Sequence, residues 1–91
     1  MRAIERTTRF KRDYKREKRT DADLDSDLLD VIEMLASDAE LPERLRDHPL
    51  AGEWKGFRDC HVRPDLVLIY EKVDPDILAL ARLGSHSELF G

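Results

Sequence analysis

A chain of 91 residues has room for one domain, taken here as residues 1–91, with a limited core. At 41% apolar and 40% charged residues it is not a disordered polymer, and no apolar run approaches the roughly 20 residues of a membrane span. The net charge of −4 hides an asymmetry: residues 1–20 hold nine Lys or Arg against three acids, residues 21–47 two against ten, and residues 48–91 five against seven.

Arg2 to Thr7 reads as a short strand around Ala3 and Ile4. A hydroxyl at Thr7 or Thr8 can cap the helix that follows, by accepting one of its orphan backbone N–H groups. That helix is expected from Arg9 to Arg19, with Phe10 and Tyr14 on one face at i and i+4. Its other faces carry Lys11, Arg12, Lys15, Arg16 and Lys18, either a surface for an anionic partner such as RNA or a solvated helix face. Asp21 to Asp27 supplies the acids that suit the start of a second helix. Leu24, Leu28, Val31, Ile32 and Leu35 then repeat at amphipathic spacing to an end near Ser37. The short connection predicts a helical hairpin.

Glu40 to Gly52 reads as a loop, marked by Pro42, Pro49 and Gly52. Trp54–Val62, Leu66–Tyr70 and Ile77–Leu83 read as strands, separated by turns at Arg63-Pro64-Asp65 and Asp74-Pro75-Asp76. Gly84 to Gly91 reads as a tail. The expected fold is α+β: a two-helix hairpin packed on a four-stranded, mainly antiparallel sheet in the order β-α-α-β-β-β. The first strand can join beside the last, in parallel. Cys60 is the only cysteine; it excludes an internal disulfide and reads as a buried, inert thiol. That fits a reducing cytoplasm, and the charged start of the chain shows no secretory h-region.

All three histidines, His48, His61 and His86, lie in the second half, close to predicted loops or strand ends. Asp65 shares a turn with His61, and Arg82 precedes His86 at the end of the last strand. Cutting RNA without a metal needs a base for the 2′-OH, a cation for the phosphate and an acid for the leaving 5′ oxygen. Histidine suits both proton roles near neutral pH, and the planar fork of arginine suits a phosphate. By residue type alone, surface or capping roles for these residues are the commoner case. The spacing of the histidines and Asp65 matches no compact ligand motif, so neither metal nor cofactor is expected. Trp54 and Phe57 read as packing residues.

The run Asp47-His48-Pro49-Leu50, Gly52, Trp54-Lys55-Gly56-Phe57-Arg58-Asp59, His61-Val62, Pro64-Asp65 and Leu68-Ile69-Tyr70 resembles YafQ-type toxins of the RelE/ParE superfamily. So does the ending Arg82, Gly84, His86, Leu89-Phe90-Gly91. The likeness is dense over residues 47–91, whereas over 1–46 only the helical pattern agrees. It implies a RelE-like fold and a toxin of a type II toxin–antitoxin system. The implied activity is a ribosome-dependent mRNA endonuclease that cleaves in the A site without metal. The implied partners are the 70S ribosome with its message and a cognate antitoxin of the ribbon-helix-helix type, through which alone the toxin reaches operator DNA. The family's functional positions fall on His48, His61, Asp65, Arg82, His86 and Phe90. His86 stands as general acid and Arg82 as phosphate clamp. His48, His61 and Asp65 supply the base and orient the 2′-OH, and Phe90 positions a base of the message. The basic face Lys11, Arg12, Lys15, Arg16 and Lys18 would meet ribosomal RNA. Two departures stand out: Leu66 occupies a position where relatives commonly carry Trp, and Leu cannot stack like an indole; and the net charge is acidic where ribosome-binding toxins are often basic.

Two rivals share this sequence. A ParE-like gyrase poison on the same fold would bind without cutting RNA, since fold alone does not fix activity. An interaction domain with decayed activity is the other. The His, Asp and Arg set argues against both, because a pure binder has no use for proton-transfer groups.

Overall fold

The computed structural model describes all 91 residues. The chain opens with β1 (Ala3–Arg6), which pairs in parallel with β5 (Ile77–Gly84), Ala3 opposite Ile77 and Arg6 opposite Leu80. Thr7 ends β1 and starts α1 (Thr8–Thr20) by accepting the N–H of Phe10 at 3.0 Å, the cap expected from its hydroxyl. The same hydroxyl donates to the Ala81 carbonyl at 2.9 Å, which ties the helix start to β5. Three residues later α2 (Leu24–Ala36) begins, and Leu24, Leu28, Val31, Ile32 and Leu35 are all buried, as their spacing predicts. The helices are bridged by Lys18 Nζ donating to Asp25 at 2.9 Å, and by the Tyr14 hydroxyl donating to the same carboxylate.

The sheet has five strands in the order β1-β5-β4-β3-β2, one more than expected. The extra strand is β2 (His48–Pro49), inside the expected loop, antiparallel to β3 (Arg58–Arg63) with His48 opposite Asp59. Pro fits here because β2 is an edge strand. β3 starts at Arg58 rather than Trp54: Gly52–Trp54 forms a 3-10 turn, and Gly52 and Gly56 take φ of +65° and +95°, which break the extended run. β4 (Leu66–Asp74) outlasts the expected end at Tyr70, because its polar end Glu71–Asp74 pairs onward with β5. The expected tail is a third helix, α3 (His86–Phe90). Its start is fixed by a capping box: Ser85 Oγ accepts the Glu88 N–H and Glu88 accepts the Ser85 N–H, each satisfying a donor the helix cannot. The Ser85-x-x-Glu88 signature for it stands in the sequence.

One face of the sheet buries Cys60, Val62, Leu66, Leu68, Tyr70, Leu78, Leu80 and Leu83 against Phe10 and the apolar stripe of α2. The other face has a smaller cluster of Val67, Ile69, Ala81 and Leu89, with Leu50, Trp54, Phe57 and Phe90 packed against it. β4 is therefore covered on both sides from Leu66 to Tyr70, the reason that stretch is an unbroken apolar run. No helix is long and apolar enough to cross a membrane.

Candidate functional site

The sheet register sets the site on this second face. Across the strands, His48 stands opposite Asp59, Asp59 opposite Ile69 and Ile69 opposite Arg82. In the next row His61 stands opposite Val67 and Val67 opposite Gly84, two residues before His86. Asp59 and His61 are two apart on one strand and so share a face. Ala81 has no opposite residue; this irregularity in β5 lies directly before Arg82, where such bulges re-aim side chains.

Asp59 is the buried centre of the group. Burial raises its pKa; protonation of His48, and to a lesser degree of His61 and His86, opposes that rise. His48 Nδ1 lies 3.1 Å from Asp59 Oδ1 but 2.7 Å from the Arg46 carbonyl. The shorter contact takes the N–H, which leaves Asp59 Oδ1 buried without a hydrogen bond. A carbonyl only accepts, so Nδ1 of neutral His48 carries the hydrogen and Nε2 the lone pair. His61 is held the same way and more loosely, Nδ1 standing 3.4 Å from the Pro64 carbonyl. Both rings therefore present a basic Nε2.

The loop before His48 is anchored by Asp47. Arg58 donates to it through Nε at 3.2 Å and Nη2 at 2.8 Å, and the buried Tyr70 hydroxyl also donates to it. Burial and that carboxylate drive the phenol pKa up, so Tyr70 remains a donor. His86, exposed at the first position of α3, makes its ring contact with Phe90, centroids 4.7 Å apart at 46°. Phe90 in turn packs on the apolar cluster beneath.

Arg82 is held elsewhere along its side chain: Nε and Nη2 donate to Asp13 of α1 at 2.7 and 3.2 Å. Asp65 is not brought into the histidine group. It sits exposed in the turn between β3 and β4, beside Glu17, Thr20 and Asp21, with no hydrogen bond of its own. Leu66 is buried in the helix-facing core, away from the histidine face, so the residue at this departure does not line the site. Trp54 and Phe57 pack edge to face at 5.2 Å, as packing residues. Cys60 is buried and its thiol is pushed up to about 12, chiefly by burial, which rules it out as a nucleophile. No three ligand-type side chains converge closely enough to hold a metal ion.

Of the expected basic face, Lys11, Arg12 and Lys15 are exposed and unpaired. Lys18 is engaged with Asp25. Arg16 is engaged with Asp13, Glu17 and Glu88. Sequence reasoning missed Asp59 and Asp13 as site residues. Strand alternation could have found Asp59, two residues from His61. No local signal marks Asp13.

Residues 2–91 match a family described as the bacterial toxin of a type II toxin–antitoxin system, YafQ. The chain is 37% identical to the mRNA interferase toxin YafQ of Escherichia coli K12, over 100% of this chain and 98% of that protein. It superposes on a copper-bound mutant toxin from Helicobacter pylori with a TM-score of 0.92, at 42% identity, covering 99% of this chain and 100% of that one. It superposes on the E. coli DinJ–YafQ complex with a TM-score of 0.88 at 38% identity, covering 100% of both chains.

Proposed function

The chain belongs to the YafQ family of bacterial type II toxin–antitoxin toxins, and from that premise we propose that it is an endoribonuclease that cuts mRNA in the ribosomal A site. The observation that supports this most is the sheet register, which sets His48 beside buried Asp59 at 3.1 Å, His61 two residues along β3 on the same face, and Arg82 in the same row as His48 and Asp59.

In the reaction, Nε2 of His48 takes the proton of a 2′-OH. The 2′ oxygen attacks the adjacent phosphorus and the bond from phosphorus to the 5′ oxygen breaks. His86 gives its proton to that leaving oxygen, so the products are a 2′,3′-cyclic phosphate and a 5′-hydroxyl. His48 is favoured over His61 as base because its Nδ1–H bond is shorter and fixes the tautomer more firmly. Arg82 stabilises the charge growing on the phosphate oxygens. Phe90 stacks on a base while its other side supports His86; Asp65, at the β3–β4 turn apart from the histidines, takes no part in this step. These groups need no metal.

The toxin acts in the cytoplasm, on the 70S ribosome and its message. Its silencing partner is a cognate antitoxin of the ribbon-helix-helix type, and operator DNA is reached only through that complex. The relative solved with DinJ as a toxin–antitoxin complex supports an antitoxin partner. Toeprinting in a reconstituted translation system tests the reading. Cuts at A-site codons that require ribosomes are expected. Equal cutting of free message would overturn the ribosome dependence, and no cutting at all would turn attention to a gyrase supercoiling assay.

Lys11, Arg12 and Lys15 on α1 contact ribosomal RNA, with Arg16 and Lys18 contributing less because they are already paired. Reversing the first three charges should weaken ribosome binding and make its log–log salt slope shallower by about 2. An unchanged slope would make this a solvated face.

A further inference from the structure

We propose that Asp13 is the positioning residue of the site, aiming the Arg82 guanidinium from outside the sheet; this rests on the reading of Arg82 as phosphate clamp. Asp13 stands in a run of bases, Lys11-Arg12-Asp13-Tyr14-Lys15-Arg16, yet it is buried, one of only two buried charged residues in the chain. A buried carboxylate is retained only when its oxygens are satisfied. Here they are: Oδ2 accepts Arg82 Nε at 2.7 Å and the Leu83 backbone N–H at 3.0 Å, and Oδ1 accepts Arg82 Nη2 at 3.2 Å and Arg16 Nη1 at 3.3 Å.

Arg82 has no other acceptor in the chain, so the side-on pairing with Asp13 alone sets the direction of its fork. Of its five N–H groups, the pairing takes Nε–H and one on Nη2, which leaves three for phosphate oxygens. The bond to Leu83 references the carboxylate to the backbone one residue beyond Arg82. Arg16 Nη2 donates to the Leu83 carbonyl at 3.1 Å and closes the same junction between α1 and β5. Gly84 leaves the space this needs, since a Cβ there would stand 3.1 Å from Arg16 Nη2. Burial pushes the Asp13 pKa up, but the hydrogen bonds from Arg82 and Leu83 and the charges of Arg82 and Arg16 outweigh it, so the group stays ionised. Its effect is on orientation more than on affinity, because it turns a cation the phosphate would meet in any case.

Asn at position 13 keeps the shape but turns an –NH2 toward two donors. Single-turnover cleavage on programmed ribosomes should be measured for the wild type, Asp13→Asn, Arg82→Ala and the double variant. Asp13→Asn is expected to lower the maximal rate about tenfold to a hundredfold and to move the half-saturating toxin concentration less than about threefold. In the Arg82→Ala background it should cost nothing further. A maximal rate within about twofold of wild type, or a loss that multiplies with that of Arg82→Ala, would overturn the proposal while the clamp reading stands. Full cleavage by Arg82→Ala alone would remove the clamp and the proposal together. Wild-type protein gives a test that no folding defect can spoil: the 15N resonance of Arg82 Nε–H should exchange with solvent far more slowly than those of the exposed arginines. Exchange as fast as theirs would show that Asp13 does not hold it.

Discussion

Replacing His86 by alanine is expected to lower the rate of message cleavage by about a hundredfold to ten-thousandfold, the usual worth of a positioned general acid. The fold should survive the change. His86 is exposed, its ring contact is with Phe90, and the cap that starts α3 is made by Ser85 and Glu88 rather than by the imidazole. Alanine is also a better helix former than histidine, so the stability change should stay within about 0.5 kcal/mol. Toeprint rates and a thermal melt on the same preparation check both halves. A variant that still cuts at the wild-type rate would remove His86 from the mechanism. A variant that loses activity and melts early would make the loss structural.

Leu68→Ala is expected to have the largest effect on stability, about 2–5 kcal/mol, against a total of roughly 5–15 kcal/mol for a domain of this kind. Leu68 is fully buried in the central strand, β4. Its neighbours across the sheet are Cys60 on β3 and Leu83 on β5, both themselves fully buried. Strands on both sides hold the backbone at fixed spacing, so the cavity cannot close by local collapse. Urea denaturation should show a much lower midpoint with little change in slope. A midpoint near that of the wild type would mean that the helix-facing core is packed less tightly than its burial indicates.

Much of the fold follows from residues close together in sequence. The stripe from Leu24 to Leu35 has one amphipathic solution, and each of its members is buried as its spacing demands. The Thr7 cap and the two turns around Pro64 and Pro75 are also local, and they place α1 and the three long strands within a few residues. α3 is equally local, since the Ser85 and Glu88 pair marks its start, although Gly84 to Gly91 reads as a tail. β2 was different. Two residues around a proline carry no strand signal, and His48–Pro49 is a strand only because β3 offers it an open edge.

The site divides along the same line. The histidines, Arg82 and Phe90 could be named from the sequence, because their residue types and the resemblance both mark them. Their arrangement could not, since it depends on which residues stand opposite one another. The register that puts His48, Asp59, Ile69 and Arg82 in one row is a property of four strands at once, and a shift of one residue would turn Asp59 into the core and Cys60 onto the site face. Asp65 shows the reverse case: named from sequence, it lies in the free protein at a turn apart from the histidines. By itself the sequence determined the helices, the strands and the chemical kit, because those follow from periodicity, capping and side-chain type over a few residues. Only the tertiary structure decided that Asp13 is buried. An aspartate among lysines and arginines reads as solvated until a partner is found for it, and its partner, Arg82, lies 69 residues away on another element.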